Sequence, residues 1–187
     1  MKYLFAGILI TRLFNHLKNK MNNALPDFWL GRVIKNAALG SALIGHAAYS
    51  YYETSTQTQG IDLLRSILIL PMLFHSPTVT AIHGMEFKSG LVKAVLEKKI
   101  ILNGLAERIT DTLLTTFRSI QIGNDSGLYR VDRFDDGFQL IPTHSKCPVP
   151  TGSQSEKIRH MFAAAKRLGM WFHHDLSSLY KMLQVRI

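Results

Sequence analysis

The sequence predicts a mainly α-helical α+β fold. A helical bundle carries a winged-helix-like unit, with helices over about 91–120 and a hairpin over about 128–141. Three observations lead there. Apolar residues recur at helical spacing, as in Leu105, Ile109, Leu113 and Phe117. Strand-like alternation is confined to Leu128–Phe134, followed by the turn Asp135-Asp136-Gly137 and a return segment, Phe138–Ile141. The 187 residues are 47% hydrophobic and 19% charged, which suits a chain that buries a core and excludes a disordered one. The single Cys147 also rules out an internal disulfide framework and a Cys-rich zinc site.

Residues 1–20 read as an N-terminal extension, either an amphipathic lead helix or a stretch upstream of a natural start at Met21. Its apolar run, Tyr3–Ile10, ends at Arg12, and no small-residue cleavage site follows before Lys18 and Lys20. Residues 21–187 are expected to form one domain, with a helical part over 21–90, a winged-helix-like part over 91–142 and a C-terminal helical part over 153–187.

Asn22–Arg32 is expected to lead in to a helix over Asn36–Tyr52 that is rich in Ala and Gly, so that another helix can approach closely. Thr54–Gly60 is a polar loop. Asp62 should cap the run Leu63–Phe74, which is apolar all round and which Pro71 would kink or end. Ser76 and Pro77 mark a new helix start, as cap and first helical residue. The uncharged stretches 36–52 and 66–85 approach spanning length. Their Asn, Ser, His and Pro residues argue for buried helices over membrane spans.

Leu91–Ile101 reads as a short amphipathic helix facing inward through Leu91, Val95 and Leu96, and Asn103-Gly104 interrupts it. Leu105–Ile120 follows as a longer helix, and Gly123–Gly127 is a turn. Thr143–Gln154 is an extended loop. Ser153 or Ser155 should cap a long helix reaching Phe172, Ser153 pairing with Glu156 as a capping box, and Asp175 should start a last helix to about Gln184.

The net charge of +9 lies at the two ends: +5 over residues 1–35, zero over 36–150 and +4 over 151–187. Such ends could form one surface that attracts phosphate backbones without reading bases. Lys157, Arg159, Lys166 and Arg167 are the leading phosphate contacts, with Ala163–Ala165 marking the core side of their helix. Lys98 and Lys99 are secondary candidates. In Leu105–Ile120 the basic Arg108 and Arg118 are opposed by Glu107 and Asp111, a poor composition for major-groove reading.

Catalytic signatures are not found in the sequence. Neither phosphate-binding glycine pattern occurs. His144 and Cys147 are loop neighbours, a poor geometry for a catalytic dyad. The histidines match neither a zinc helix motif nor a two-His, one-carboxylate face. Asp132, Asp135 and Asp136 suit turn geometry. The expectation is a protein that is not an enzyme and carries no cofactor.

Several segments taken together resemble a known family: NAALGSALIGHAAYSYY from Asn36, LILPMLFHSP over Leu68–Pro77, LAERITDTLLTTFR over Leu105–Arg118, and the ending Ala163–Ile187. The most specific points are Leu70, Pro71 and His75, then Leu168, Gly169, Trp171 and Phe172 followed by Tyr180, Leu183, Val185 and Arg186. Over about 21–187 the chain is similar to the middle component of bacterial three-component ABC systems, and looks like the small C subunit of Lamassu-type anti-phage systems. The resemblance implies a cytoplasmic, non-catalytic adaptor, away from membranes. Its partners would be an SMC- or Rad50-like ABC ATPase, an effector that is often a nuclease, and double-stranded DNA held without sequence preference. Trp171, Phe172, Tyr180, Met182 and Leu183 are candidate anchors for those partners, because aromatic and large apolar side chains dominate interface energetics. The competing expectation is a free-standing winged-helix transcriptional regulator that contacts its operator through Arg108 and Arg118.

Overall fold

The computed structural model describes residues 27–135, 137–144 and 156–185. Helix α1 spans Asp27–Thr54. Residues 27–32, expected as part of the lead-in, are already helical.

The apolar run after the polar loop divides. Strand β1 is only Ile61–Asp62. The Asp62 carboxylate then accepts the Arg65 N–H at 2.8 Å and caps helix α2, Leu63–Ser66. Helix α3, Ile69–Leu73, follows after a short break. Pro71 does not cause that break. It occupies the first turn of α3, where its missing N–H is not needed. Helix α4, Ser76–His83, carries Pro77 in its first turn. Extended His75 precedes it, with Nδ1 2.7 Å from Thr78 Oγ1.

A 3-10 turn at Phe87–Ser89 leads to helix α5, Gly90–Glu97, and a second one at Lys99–Ile101 ends at the Asn103-Gly104 interruption. Helix α6 runs from Leu105 to Asp125, one turn past its expected end. The hairpin is β2, Tyr129–Phe134, and β3, Gly137–Pro142. Helix α7, Glu156–Trp171, and helix α8, Leu176–Met182, complete the order. Asp175 caps α8, accepting the Ser178 N–H at 3.1 Å. The expected caps Ser153 and Ser155, Cys147 and the extension 1–20 lie outside the described residues.

The fold is thus mainly helical with a small antiparallel sheet of order β1–β3–β2. Ile61 and Val131 both pair with Leu140, which is fully buried. Helix α1 is the central element, packed against α6 and α7, with the wholly buried α3 touching all three. Its small residues allow that closeness. A Cβ at Gly40 would lie 2.3 Å from Ser119 Oγ of α6. The extra turn of α6 lies against Tyr129, whose ring fills the space beside Gly123, where a Cβ would come within 2.2 Å of it. The Tyr129 hydroxyl donates to the Ser119 carbonyl at 3.1 Å, and burial pushes its pKa well up.

The helices over 91–120 have different neighbours: α5 packs on α7, whereas α6 packs on α1. Arg65 ties α2 to the α7–α8 connection. It forms an ion pair with Asp62 and donates to the carbonyls of Phe172 (2.8 Å) and His174 (2.5 Å). Among the described residues no single helix is long and apolar enough to cross a membrane. The segment Leu63–Leu73 and helix α4 meet at 101°, and residues 66–73 of that pair are buried.

Candidate partner interface

Helix α5 turns Leu91 and Ala94, three apart, into the core. Its opposite side is also apolar. Leu96, expected to face inward, is 71% exposed, Val92 is 47% exposed, and Ile100 in the following turn is 39% exposed. Residues 92 and 96 share one face of α5, and Ile100 follows in the 3-10 turn after that helix has ended; these three exposed side chains make up the α5 stripe. Leu96 also lines a groove of about 480 Å³, together with Val95, Lys99, Leu102, Gly104 and Gln184. Exposed apolar residues at four-residue spacing were the signal in the sequence. They were masked by a second apolar set, Leu91 and Ala94, on the other face of the same helix.

Cations border the stripe. Lys98 and Lys99 are exposed in the turn between Leu96 and Ile100. Lys93 lies 3.8 Å from Glu97, one turn on, in a pair too open to solvent to matter much for stability. Lys98 also lines a second recess, with Pro77, Thr80 and Ala81 of α4.

The basic residues of α7 do not form one patch. Lys157, Arg159 and Lys166 are exposed. Arg159 and Lys166, seven apart, share a face, while Lys157 in the first turn points about 180° away from Lys166 at ~100° per residue. Arg167 is turned inward: its guanidinium donates to the carbonyls of Met85 (3.2 Å) and Ala163 (3.1 Å). Ala164 and Ala165 are buried as expected, and Ala163 is half-buried.

Lys166 instead overlooks a cleft of about 530 Å³ between α1 and α7, lined by His46, Tyr49, Glu53, Phe87 and Met170 among others. Its Nζ lies 5.4 Å from the Phe87 ring centre, a cation–π contact. His46 sets its ring edge-on to Phe162 at 5.5 Å, and burial, then Lys166, lower its pKa. Among the described residues no group of three or more His, Cys, Asp or Glu is placed to hold a metal ion.

The aromatic residues expected as partner anchors are core. Trp171, Phe172, Tyr180 and Leu183 are all buried, and Met182 is half-buried against the same core. Trp171 donates its indole N–H to the Phe87 carbonyl at 3.2 Å, and the Tyr180 hydroxyl donates to the Leu64 carbonyl at 2.8 Å. Helices α7 and α8 fold their apolar sides onto α1 and α2, which leaves these side chains no outer surface.

A smaller apolar spot lies at the hairpin tip. Phe134 and Phe138 are 43% and 40% exposed. Phe134 pairs with Gly137 and Phe138 with Arg133, so strand alternation puts the two rings on opposite faces. Farther along β2, Arg130 is paired with Asp132 at 2.7 Å.

Arg108, a candidate operator contact, is engaged within the fold. Its guanidinium donates to the carbonyls of Pro71 (2.9 Å), Ile101 (3.0 Å), Asn103 (2.9 Å) and Gly104 (3.2 Å), and to Thr78 Oγ1 (3.3 Å). It pins the α5–α6 connection to α3 and α4.

Comparison with known proteins gave one match. The model of a family described as ABC-three component (ABC-3C) system Middle Component 3 covers residues 30–187. Neither a curated protein nor a solved structure matches the chain.

Proposed function

The chain belongs to the middle component 3 family of ABC-three component systems, and on that premise we propose that it is a non-catalytic adaptor. It joins an SMC- or Rad50-like ABC ATPase to an effector, often a nuclease, around bound double-stranded DNA. Such an assembly acts in the cytoplasm as a Lamassu-type anti-phage system. Membership in a three-component system implies partner components. The observation that carries the adaptor role is the set Val92, Leu96 and Ile100, three of the six exposed large apolar side chains among the described residues, gathered on α5 and the turn after it. Contiguous apolar surface of this kind marks an interaction site.

DNA contact in the assembly falls to Arg159 and Lys166 on one face of α7, with Lys157 on the opposite side of that helix as a separate cation. The helix-then-hairpin order and the short strand β1 on the edge of β3 support a winged-helix-like part used as a protein contact. The regulator alternative is the weaker one, because Arg108 already serves five acceptors of its own chain.

Coexpression of the tagged chain with the ATPase and the third component of its own system tests the proposal. Stable capture of at least one component is the expected result. A chain that remains monomeric and captures neither overturns the adaptor role, as does turnover of nucleic acid or nucleotide by the purified chain alone.

A further inference from the structure

We propose that the α5 stripe is the docking site for an acidic amphipathic helix of a partner component, which lays its apolar face along Val92, Leu96 and Ile100. This rests on the adaptor reading and specifies its chemistry. The surface has the two parts that such a helix needs. The first is apolar: Leu96 is 71% exposed, flanked by Val92 at 47% and Ile100 at 39%, with the groove beside Val95 and Leu102 open next to it. Val92 and Leu96, four apart on one face of α5, present the spacing that a docked amphipathic helix meets. The second is cationic. Lys98 and Lys99 stand exposed within the stripe's own turn, and Lys88 is exposed in the preceding one. Of the acids at this surface, Glu97 faces Lys93, and Glu107 lies at the Gly104 end of the groove, away from Val92.

Charge selects among the possible occupants. A second copy of the chain would set this lysine-bearing surface against its own like, and like-charge juxtaposition is costly. The chain's own residues 1–20 carry Lys2, Arg12, Lys18 and Lys20 and no acid, so they are repelled in the same way. A helix bearing Glu or Asp beside a Leu-rich stripe satisfies both parts of the surface. Its acids would meet Lys98 and Lys99, speeding encounter, while the apolar seam holds the complex.

Leu96→Asp and the double reversal Lys98→Glu with Lys99→Glu test this on the full chain, coexpressed with its ATPase and third component. Both sites are exposed, and thermal unfolding matching the wild type establishes that each variant folds; Val92→Asp serves as the second stripe variant. The expected result is capture by the wild type and at least about tenfold weaker capture by each variant. Wild-type capture that survives Leu96→Asp and Val92→Asp overturns the docking site and leaves the adaptor reading standing. Loss with the stripe variants but not with the lysine reversal overturns the acidic chemistry. No capture by the wild type overturns the adaptor reading itself. Two further probes fix the occupant: a synthetic amphipathic helix with Leu on one face and Glu on its flanks, and its Lys-flanked counterpart. Preference for the Glu peptide supports the proposal, and equal binding overturns it. Leu96-dependent binding to phosphatidylserine vesicles, with no binding to the Glu peptide, overturns it in favour of a membrane surface.

Discussion

Gly169 of α7 lies directly on the main chain of Ala47 in α1. A Cβ at residue 169 would stand 2.2 Å from the Ala47 carbonyl oxygen and 2.9 Å from Ser50 Cβ. The same crossing is held by Ser50 Oγ, which donates to the Lys166 carbonyl at 2.8 Å. The contact is between backbones, so no rotamer change relieves it.

Gly169→Ala is therefore expected to force α1 and α7 apart and to destabilise the chain by roughly 1–3 kcal/mol, the usual range for overpacking. Gly40→Ala should cost less. Its Cβ would meet the side chains of Ser119 and Leu70, which can turn away. Urea denaturation of the two variants checks the order, and equal losses would count against the backbone contact.

Arg108→Ala leaves several carbonyls of the α5–α6 connection without their donor. The expected loss is about 1–3 kcal/mol, the cost of leaving partly buried polar groups unpaired. Arg108→Lys should rescue little, because one ammonium cannot reproduce the planar fork that reaches Pro71, Ile101 and Asn103 together. Denaturation midpoints of the two variants decide the point. Full rescue by lysine would show that charge alone matters here.

Acid should destabilise the fold through its histidines. Burial is the first cause of lowered pKa at His46, His75, His83 and His173. Lys166 adds to it at His46, Arg108 at His75, and His160 and then Arg167 at His83. At His173 a hydrogen bond to the Tyr51 carbonyl opposes it. The unfolded chain thus binds protons at these sites more readily than the native one. Their contribution is fully present above the ordinary value of 6.5 and is lost as pH falls through it toward the lowered native values. Denaturation at pH 7.5 and 5.5 should show the loss, and His46→Leu should flatten the slope. A stability that rises between pH 7.5 and 5.5 would contradict this assignment.

The α7 cations should separate by position. Lys157→Glu, Arg159→Glu and Lys166→Glu together are expected to preserve folding and to weaken DNA retention by the assembled complex, with a shallower salt dependence. Arg167→Glu is expected to destabilise the chain itself, because it removes the donors to Met85 and Ala163 and places a carboxylate against their carbonyls. Circular dichroism melts and salt-titrated DNA binding by the complex distinguish the two effects. Unchanged DNA binding by the triple variant would show that this face is merely solvated.

The local chemistry of the sequence determined most of the elements. Asp62 and Asp175 cap helices because a carboxylate three residues before an N–H closes that bond in any surroundings. Phe134 pairs with Gly137, so the chain turns at Asp135 where the composition places the hairpin turn, and the glycines of α1 announced a close helix crossing. Only the tertiary structure decided which apolar and basic groups are covered. Trp171 and Phe172 looked like anchors and are core, whereas Leu96 looked like core and is surface. Arg159 and Arg167 share a helix and a chemistry, yet one faces solvent and the other is bonded to Met85. The split of the run after Asp62, with Pro71 in a new first turn, likewise depends on how α3 wedges between α1, α6 and α7. Capping and turn formation are settled within a few residues. Burial is settled by elements a hundred residues apart, and a helix with two apolar faces does not record which of them its neighbours will cover.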